Sequence, residues 1–88
     1  MRYEVYVSKQ AEKGARKMPA MEKARFKALL QQLETAGPIL PGWPHFSGLG
    51  HDRYHCHLSY HWVAVWYWKE GTIRVEVEYA GSRENAPY

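Results

Sequence analysis

The stretch RYHCHL, residues 53–58, defines the centre of the predicted sheet, because apolar and basic side chains alternate along it. Strict alternation with period two is typical of a strand with one buried and one solvent-facing face. The polar face carries Arg53, His55 and His57 rather than Lys, Glu or Thr, while Cys56 points to the opposite face. We therefore interpret the face with His55 and His57, called the histidine face below, as the floor of an active site.

The composition is that of one globular domain spanning residues 1–88, with 45% hydrophobic and 15% aromatic residues. The longest apolar run, residues 62–68, has the length of a strand and is too short for a membrane span. The first residues alternate like a strand and show no secretory signal core, and a single cysteine cannot form an intrachain disulfide. We expect a cytoplasmic protein with no membrane association. The net charge of +3 is compatible with a polyanionic partner.

Before this stretch, the sequence predicts one strand and two helices. Residues 2–7 alternate as a strand, and Ser8 is an N-cap for a short helix that Pro19 ends. Residues 20–36 have helical periodicity, and Gly37 followed by Pro38 is a helix stop. The predicted apolar stripe of this second helix comprises Met21, Phe26, Leu29, Leu30 and Leu33.

After a stiff proline-rich connection over residues 38–46 and a turn over 47–52, three strands are predicted. Residues 62–68 are apolar on both faces, as in a central strand, and a turn at 69–71 leads to a strand over 72–80. In that last strand Ile73, Val75, Val77 and Tyr79 are predicted to point inward. The fold class is α+β with the order β-α-α-β-β-β: a small, mainly antiparallel sheet with two N-terminal helices on one face. The other face is predicted to be open to a partner.

The turn after His57 has two possible lengths. A two-residue turn would place Trp62 and Trp66 on the histidine face, where a tryptophan could stack on a nucleobase. A three-residue turn would place Val63 and Val65 there instead. The sequence leaves both alternatives open.

The residues of the histidine face suit RNA cleavage by the substrate's own 2′-hydroxyl. That reaction needs a base, an acid and positive charge on the phosphate. His55 and His57 are expected ~7 Å apart on one face, and Arg53 can bind phosphate bidentately. No metal is needed, because the nucleophile is part of the substrate. The competing interpretation is an exposed strand with incidental histidines.

A metal site was the other chemical alternative for this strand. His51 or His61 could join the His-x-His pair around zinc or copper. Cys56 is expected on the other face, and Asp52 is the only acidic residue in the stretch. We therefore expect no metal and no cofactor.

The chain also resembles the RelE/ParE toxin superfamily along almost its whole length. The similarity is carried by SKxAEK at 8–13, the helix from Ala20, YHCHL at 54–58 and the ending GSRENAPY at 81–88. It is strongest over residues 54–88, which look like RelE-type members with a YHCH strand and an APY ending.

The resemblance implies the toxin of a type II toxin–antitoxin pair, an endoribonuclease that cleaves mRNA, often in the ribosomal A site. It also implies a cognate antitoxin protein as partner. Carried over by position, the catalytic residues would be His55, His57, Arg83 and Tyr88, and the phosphate-binding residues would be Arg53 and His61.

One departure from the family pattern and one alternative within the superfamily bear on this expectation. Histidines stand where the best-known RelE relatives have lysines, which favours proton transfer by imidazole. The superfamily also contains ParE-like members that inhibit DNA gyrase, so the alternative is a gyrase inhibitor or a catalytically inactive binding protein. The nuclease hypothesis requires the tail with Arg83 and Tyr88 to fold back beside His55 and His57.

Overall fold

The computed structural model describes residues 2–88, which form two α-helices, five strands and a terminal 3₁₀ turn. Neither helix in this range is both long and apolar enough to cross a membrane. The elements in chain order are β1 (Glu4–Val7), α1 (Lys9–Arg16), α2 (Ala20–Ala36), β2 (Ser47–Gly50), β3 (Arg53–His57), β4 (Trp62–Trp68), β5 (Arg74–Ser82) and the 3₁₀ turn Arg83–Asn85.

The strands form one sheet in the order β1-β5-β4-β3-β2, in which only the β1–β5 pair is parallel. The predicted α+β class, with two N-terminal helices and a mainly antiparallel sheet, is confirmed. The sheet has one strand more than predicted, because residues 47–50 pair with β3 at the edge. Their sequence, SGLG, has low strand propensity, so this strand depends on its backbone pairing with β3.

Ser8 is the N-cap of helix α1, as predicted. The Ser8 hydroxyl oxygen accepts a hydrogen bond from the Ala11 N–H at 3.0 Å. Gly14 then lies so close to β5 that a Cβ atom added there would be 1.7 Å from the Ala80 carbonyl oxygen. The glycine therefore sets the distance between α1 and the sheet.

Helix α2 has the predicted bounds, and its stripe is buried at Phe26, Leu29 and Leu33. Met21 does not extend this stripe, because its side chain is 60% exposed in the first turn of the helix. Gly37 ends the helix with φ 95°, and its N–H donates to the Leu33 carbonyl at 3.1 Å. This left-handed conformation is one that glycine adopts without steric cost.

The pairing of β3 with β4 decides between the two turn alternatives. His55 pairs with Val65 and His57 with Val63, so the two valines lie on the histidine face. Trp66 is buried in the core on the opposite face, where its Nε1–H donates to the Pro38 carbonyl at 3.1 Å. Trp62 also packs against that core. The structure therefore has the alternative with Val63 and Val65 on the histidine face, and the connection between β3 and β4 comprises residues 58–61.

Strand β5 contains a bulge. Trp66 pairs with Val77 and Val65 with Tyr79, which leaves Glu78 as the extra residue. Val77 is buried in the core beneath the helices, whereas Tyr79 packs with Val65 on the histidine face. The prediction that alternate side chains of this strand point inward is therefore confirmed for Val75 and Val77. It was wrong for the face of Tyr79 and for Ile73, which is 43% exposed.

Candidate active site

His55 and His57 share one face of β3, with ring centroids 5.6 Å apart. Cys56, between them, is fully buried in the core on the other face, and burial raises the pKa of its thiol to about 12. The alternation predicted for this strand is therefore confirmed. Both helices contribute to the core on the Cys56 side, which leaves the histidine face available to a ligand.

His55 is the more enclosed of the two histidines and is 8% exposed. Its Nδ1 lies 3.1 Å from the Ser47 hydroxyl oxygen, a hydrogen bond that the edge strand β2 supplies. The ring of Tyr88 packs on it at 4.6 Å. Burial lowers the pKa of His55, and a hydrogen bond with the backbone of Ser47 acts in the opposite direction.

His57 lies at the centre of a group of basic side chains. Its ring centroid is 4.6 Å from that of His45 and 5.6 Å from that of His55. The pKa of His57 is lowered first by burial and then by electrostatic interactions with His45, His55 and Arg83. Lowered pKa values keep both strand histidines neutral near pH 7, the state in which imidazole accepts a proton.

His45 is a site residue that the sequence reasoning missed. It belongs to the proline-rich connection, which is held to the end of β3 because the His57 N–H donates to the Pro44 carbonyl at 2.8 Å. His45 has φ 54°, a conformation that non-glycine residues adopt rarely and often at functional sites. A histidine in a stiff loop just before the strand was the available signal, but its distance from His57 depends on how that loop folds.

The tail folds back across the histidine face, as the nuclease hypothesis requires. The Arg83 N–H donates to the His61 carbonyl at 2.7 Å, and the 3₁₀ turn then reverses the chain. Tyr88 thereby reaches His55, and burial raises the pKa of its phenol while Arg83 acts to lower it. The tail residues Arg83 and Tyr88 thus join the strand histidines in one cluster, although they are distant in the sequence.

A cavity of about 460 Å³ lies beside this cluster and is called the histidine cavity. Its walls hold two guanidinium groups and two imidazoles, which is a suitable lining for a phosphate. Arg83 also lies over the ring of Tyr60, at 4.8 Å from its centroid. The lining residues are Arg25, Pro44, His45, His57, Leu58, Ser59, Tyr60 and Arg83.

Arg53 and His61, the predicted phosphate-binding residues, lie outside the histidine cavity. Arg53 forms a bidentate ion pair with Glu78, with Nε–Oε1 at 2.7 Å and Nη2–Oε2 at 3.2 Å. His61 is exposed and packs edge-on against Tyr60 at 4.7 Å. The structure therefore brings His55, His57, Arg83 and Tyr88 together, and places Arg53 and His61 to either side.

The structure does not bring the ligands of the alternative metal site together. His51 and His61 lie in the turns at opposite ends of β3, so they do not converge on the His-x-His pair. Among residues 2–88, no three His, Cys, Asp or Glu side chains are arranged to hold a metal ion.

Solved structures with the same fold are toxins from toxin–antitoxin systems. A chain of the E. coli DinJ–YafQ toxin–antitoxin complex matches with a TM-score of 0.76 and 14% identity, covering 100% of both chains. The archaeal RelE–RelB complex from Pyrococcus horikoshii OT3 matches with a TM-score of 0.74 and 18% identity over 98% of this chain and 100% of that one. A mutant of E. coli RelE in the free state matches with a TM-score of 0.73 and 21% identity over 98% of this chain and 88% of that one.

No protein-family model matches the sequence, and the comparison with curated proteins gives no match. At these identities the structural likeness shows the fold. The chain therefore has a RelE-type toxin fold, as the sequence resemblance implied.

Proposed function

We propose that this chain, with its RelE-type toxin fold, is an endoribonuclease that cleaves mRNA as the toxin of a type II toxin–antitoxin pair. The observation that carries the proposal is the return of the tail, which brings Arg83 and Tyr88 to His55 and His57. A protein that acts by binding alone has no need for titratable groups in this arrangement. The family resemblance supplies the substrate class, and the chemistry of the cluster supports it.

In the proposed reaction, the 2′-hydroxyl of RNA attacks the adjacent phosphorus and the bond to the 5′-oxygen breaks. One strand histidine takes the 2′-hydroxyl proton, and the other gives a proton to the leaving 5′-oxygen. The products are a 2′,3′-cyclic phosphate and a 5′-hydroxyl. The lowered pKa values of His55 and His57 favour the neutral form that acts as base. The negative charge of the bound phosphate would raise the pKa of the other histidine, which then holds the proton that it gives as acid.

Arg83 and Tyr88 would act on the reacting phosphate and its neighbours. Arg83 lines the same cavity as His57 and can stabilise the negative charge that develops on the phosphate oxygens. Tyr88, packed on His55, would orient the substrate and exclude water on that side. His45 adds a third imidazole, placed to hold the phosphate or to take part in proton transfer.

The proposed substrate is mRNA in the ribosomal A site, and the proposed location is the cytoplasm, as the resemblance implies. No helix covers the histidine face, because both helices pack against the other side of the sheet, and the histidine cavity gives a large substrate access to His57. The net charge of +3 would assist the approach to RNA.

An antitoxin partner is part of the same proposal. The matching structures include complexes described as DinJ–YafQ and RelE–RelB. In this chain, a groove of about 320 Å³ between the two helices is lined by the apolar residues Phe26 and Leu30 and by the basic residues Lys23 and Lys27. Arg16 also lines it and pairs with Glu12 at 3.1 Å. An acidic amphipathic helix would match that groove in shape and charge.

Cleavage of message in a translating extract tests the proposal. Primer extension should show new 5′ ends with wild-type protein, and His57→Ala, Arg83→Ala and Tyr88→Ala should each reduce them by about 100-fold or more, the usual range for a lost acid, base or charge-stabilising group. The matched control is Arg74→Ala, which removes an exposed arginine at the far end of β5 and should leave cleavage intact.

The nuclease proposal fails if cleavage is absent, or if it persists in all three variants. A gyrase supercoiling assay with the same wild-type protein tests the alternative. Inhibition of supercoiling without any RNA cleavage would establish the gyrase interpretation in its place.

A further inference from the structure

A second cavity, of about 600 Å³, lies on the histidine face on the far side of Tyr88 and is called the Arg53 cavity. Tyr88 lines it and also packs on His55, so this cavity begins one aromatic side chain away from the proposed catalytic group. Its volume is in the range of pockets that enclose small organic groups. Its walls include Arg53, Glu78, Tyr79 and Tyr88.

The hydrogen bonds of Arg53 leave a defined part of its guanidinium unused. Arginine has five N–H donors. In Arg53, Nε and Nη2 each donate to Glu78, and Nη1 donates to the His51 carbonyl at 3.1 Å. Two donors remain, one on each terminal nitrogen. Donors on two neighbouring nitrogens can form two parallel hydrogen bonds with a planar group.

Glu78 is placed to fix this orientation because of the bulge in β5. As the extra residue of the bulge, it shares the wall of the cavity with the next residue, Tyr79. The bulge is itself anchored, since the Ser8 hydroxyl donates to the Glu78 carbonyl at 3.1 Å. The bidentate contact then holds the Arg53 side chain in one plane.

We propose that the Arg53 cavity is a guanine-binding subsite for a nucleotide next to the scissile phosphate. Guanine is the base that presents two adjacent acceptors, O6 and N7, to an arginine fork. Adenine replaces one of these acceptors with an amino donor, and pyrimidines have no N7. Tyr88, which is 53% exposed, offers a face on which the base stacks. The inference rests on the proposed ribonuclease function and adds a specificity to it.

Equilibrium binding of short RNAs tests the subsite separately from catalysis. Each RNA carries a 2′-deoxy nucleotide at the cleavage position and is therefore not cut, and the neighbouring base is varied. We expect the RNA with guanine to bind about tenfold or more tightly than those with adenine, cytosine or uracil. Inosine keeps O6 and N7 and should bind like guanine, whereas 7-deazaguanine lacks N7 and should bind like adenine.

Paired variants connect this preference with the two residues. Arg53→Lys removes the fork and should abolish the preference for guanine, and Glu78→Gln should reduce it by loosening the arginine. Their controls are Arg74→Lys and Glu76→Gln, which make the same changes at a neighbouring ion pair on β5 and should keep the preference. Equal binding of all four bases by wild type, or an unchanged preference in Arg53→Lys, would overturn the inference.

The two proposals fail in different ways. A preference for guanine in these binding measurements, together with no cleavage of all-ribose RNA or message by wild type, removes the ribonuclease function and leaves the binding site. Cleavage with no dependence on the neighbouring base removes the guanine subsite and leaves the ribonuclease.

Discussion

The strand histidines differ from free imidazole because each is enclosed and each lies near other basic side chains. For His57, burial is the first cause of the lowered pKa, and electrostatic interactions with His45, His55 and Arg83 add to it. A group that must stay neutral as a base benefits from such neighbours, because they disfavour its protonation. In the proposed reaction, the cluster would therefore keep its base neutral while Arg83 attracts the phosphate.

A pH–rate profile of His45→Gln tests this coupling. The substitution removes an electrostatic interaction that lowers the pKa of His57, so that pKa should rise. Cleavage requires the neutral base, so the loss of activity on acidification should begin at a higher pH in the variant than in wild type. Two-dimensional NMR titration of the His57 ring gives the same pKa without depending on activity. An acid limb at the same pH in both proteins would show that His45 does not act on His57 electrostatically.

At the scale of elements, the site depends on contacts that set the spacing between helix, sheet and tail. Ser8 both caps α1 and bonds the carbonyl of the bulge residue Glu78. Gly14 lets α1 approach β5 at Ala80. The tail leaves the sheet immediately after this region, so the position of α1 affects where Tyr88 arrives.

Gly14→Ala should destabilise the protein even though alanine is the better helix former. The intrinsic gain in helix propensity is about 1 kcal/mol. The added Cβ would lie 1.7 Å from the Ala80 carbonyl oxygen, so α1 must move away from β5, and such overpacking costs about 1–3 kcal/mol. Urea denaturation should show a net loss of free energy of unfolding.

Gly42→Ala is the matched control for this change. A Cβ atom there meets no atom within 4 Å, so the variant should be as stable as wild type or slightly more so, because the unfolded chain loses entropy. If Gly14→Ala matched Gly42→Ala in stability, the close packing of α1 on β5 would be contradicted.

The sequence predicts the features of these elements that depend on local backbone chemistry and misses those that depend on pairing between strands. The Ser8 cap and the end of α2 at Gly37 follow from local backbone chemistry, and both are confirmed. Strand β2 was missed because SGLG carries no strand signal of its own and pairs only once β3 is present. The face of Tyr79 was missed because a bulge shifts the register after Val77.

At the scale of the whole molecule, the stability should depend on pH through the enclosed histidines. The folded protein holds His55 and His57 at lowered pKa values, first because burial disfavours their charged forms. Between those values and the unfolded value of about 6.5, the unfolded chain binds more protons. The contribution of these histidines to stability is therefore complete above pH 6.5 and is lost as the pH falls through the folded pKa values.

Urea denaturation of wild type and His55→Asn across pH 5 to 8 measures this contribution. Asparagine keeps a polar group near Ser47 but does not titrate. The free energy of unfolding should fall less steeply towards acid pH in His55→Asn than in wild type. Identical slopes would show that His55 has the same pKa in the folded and unfolded chains.

The sequence by itself determined the placement of His55 and His57 on one face with Cys56 buried behind them, because a strand alternates its side chains at every residue. It also determined the helices, since caps and apolar periodicity are local. Only the tertiary structure decided that His45, Arg83 and Tyr88 join the histidines and that Glu78 holds Arg53. These contacts join distant parts of the chain through a loop, a tail and a bulge. Local periodicity contains no information about how such segments pack against the sheet.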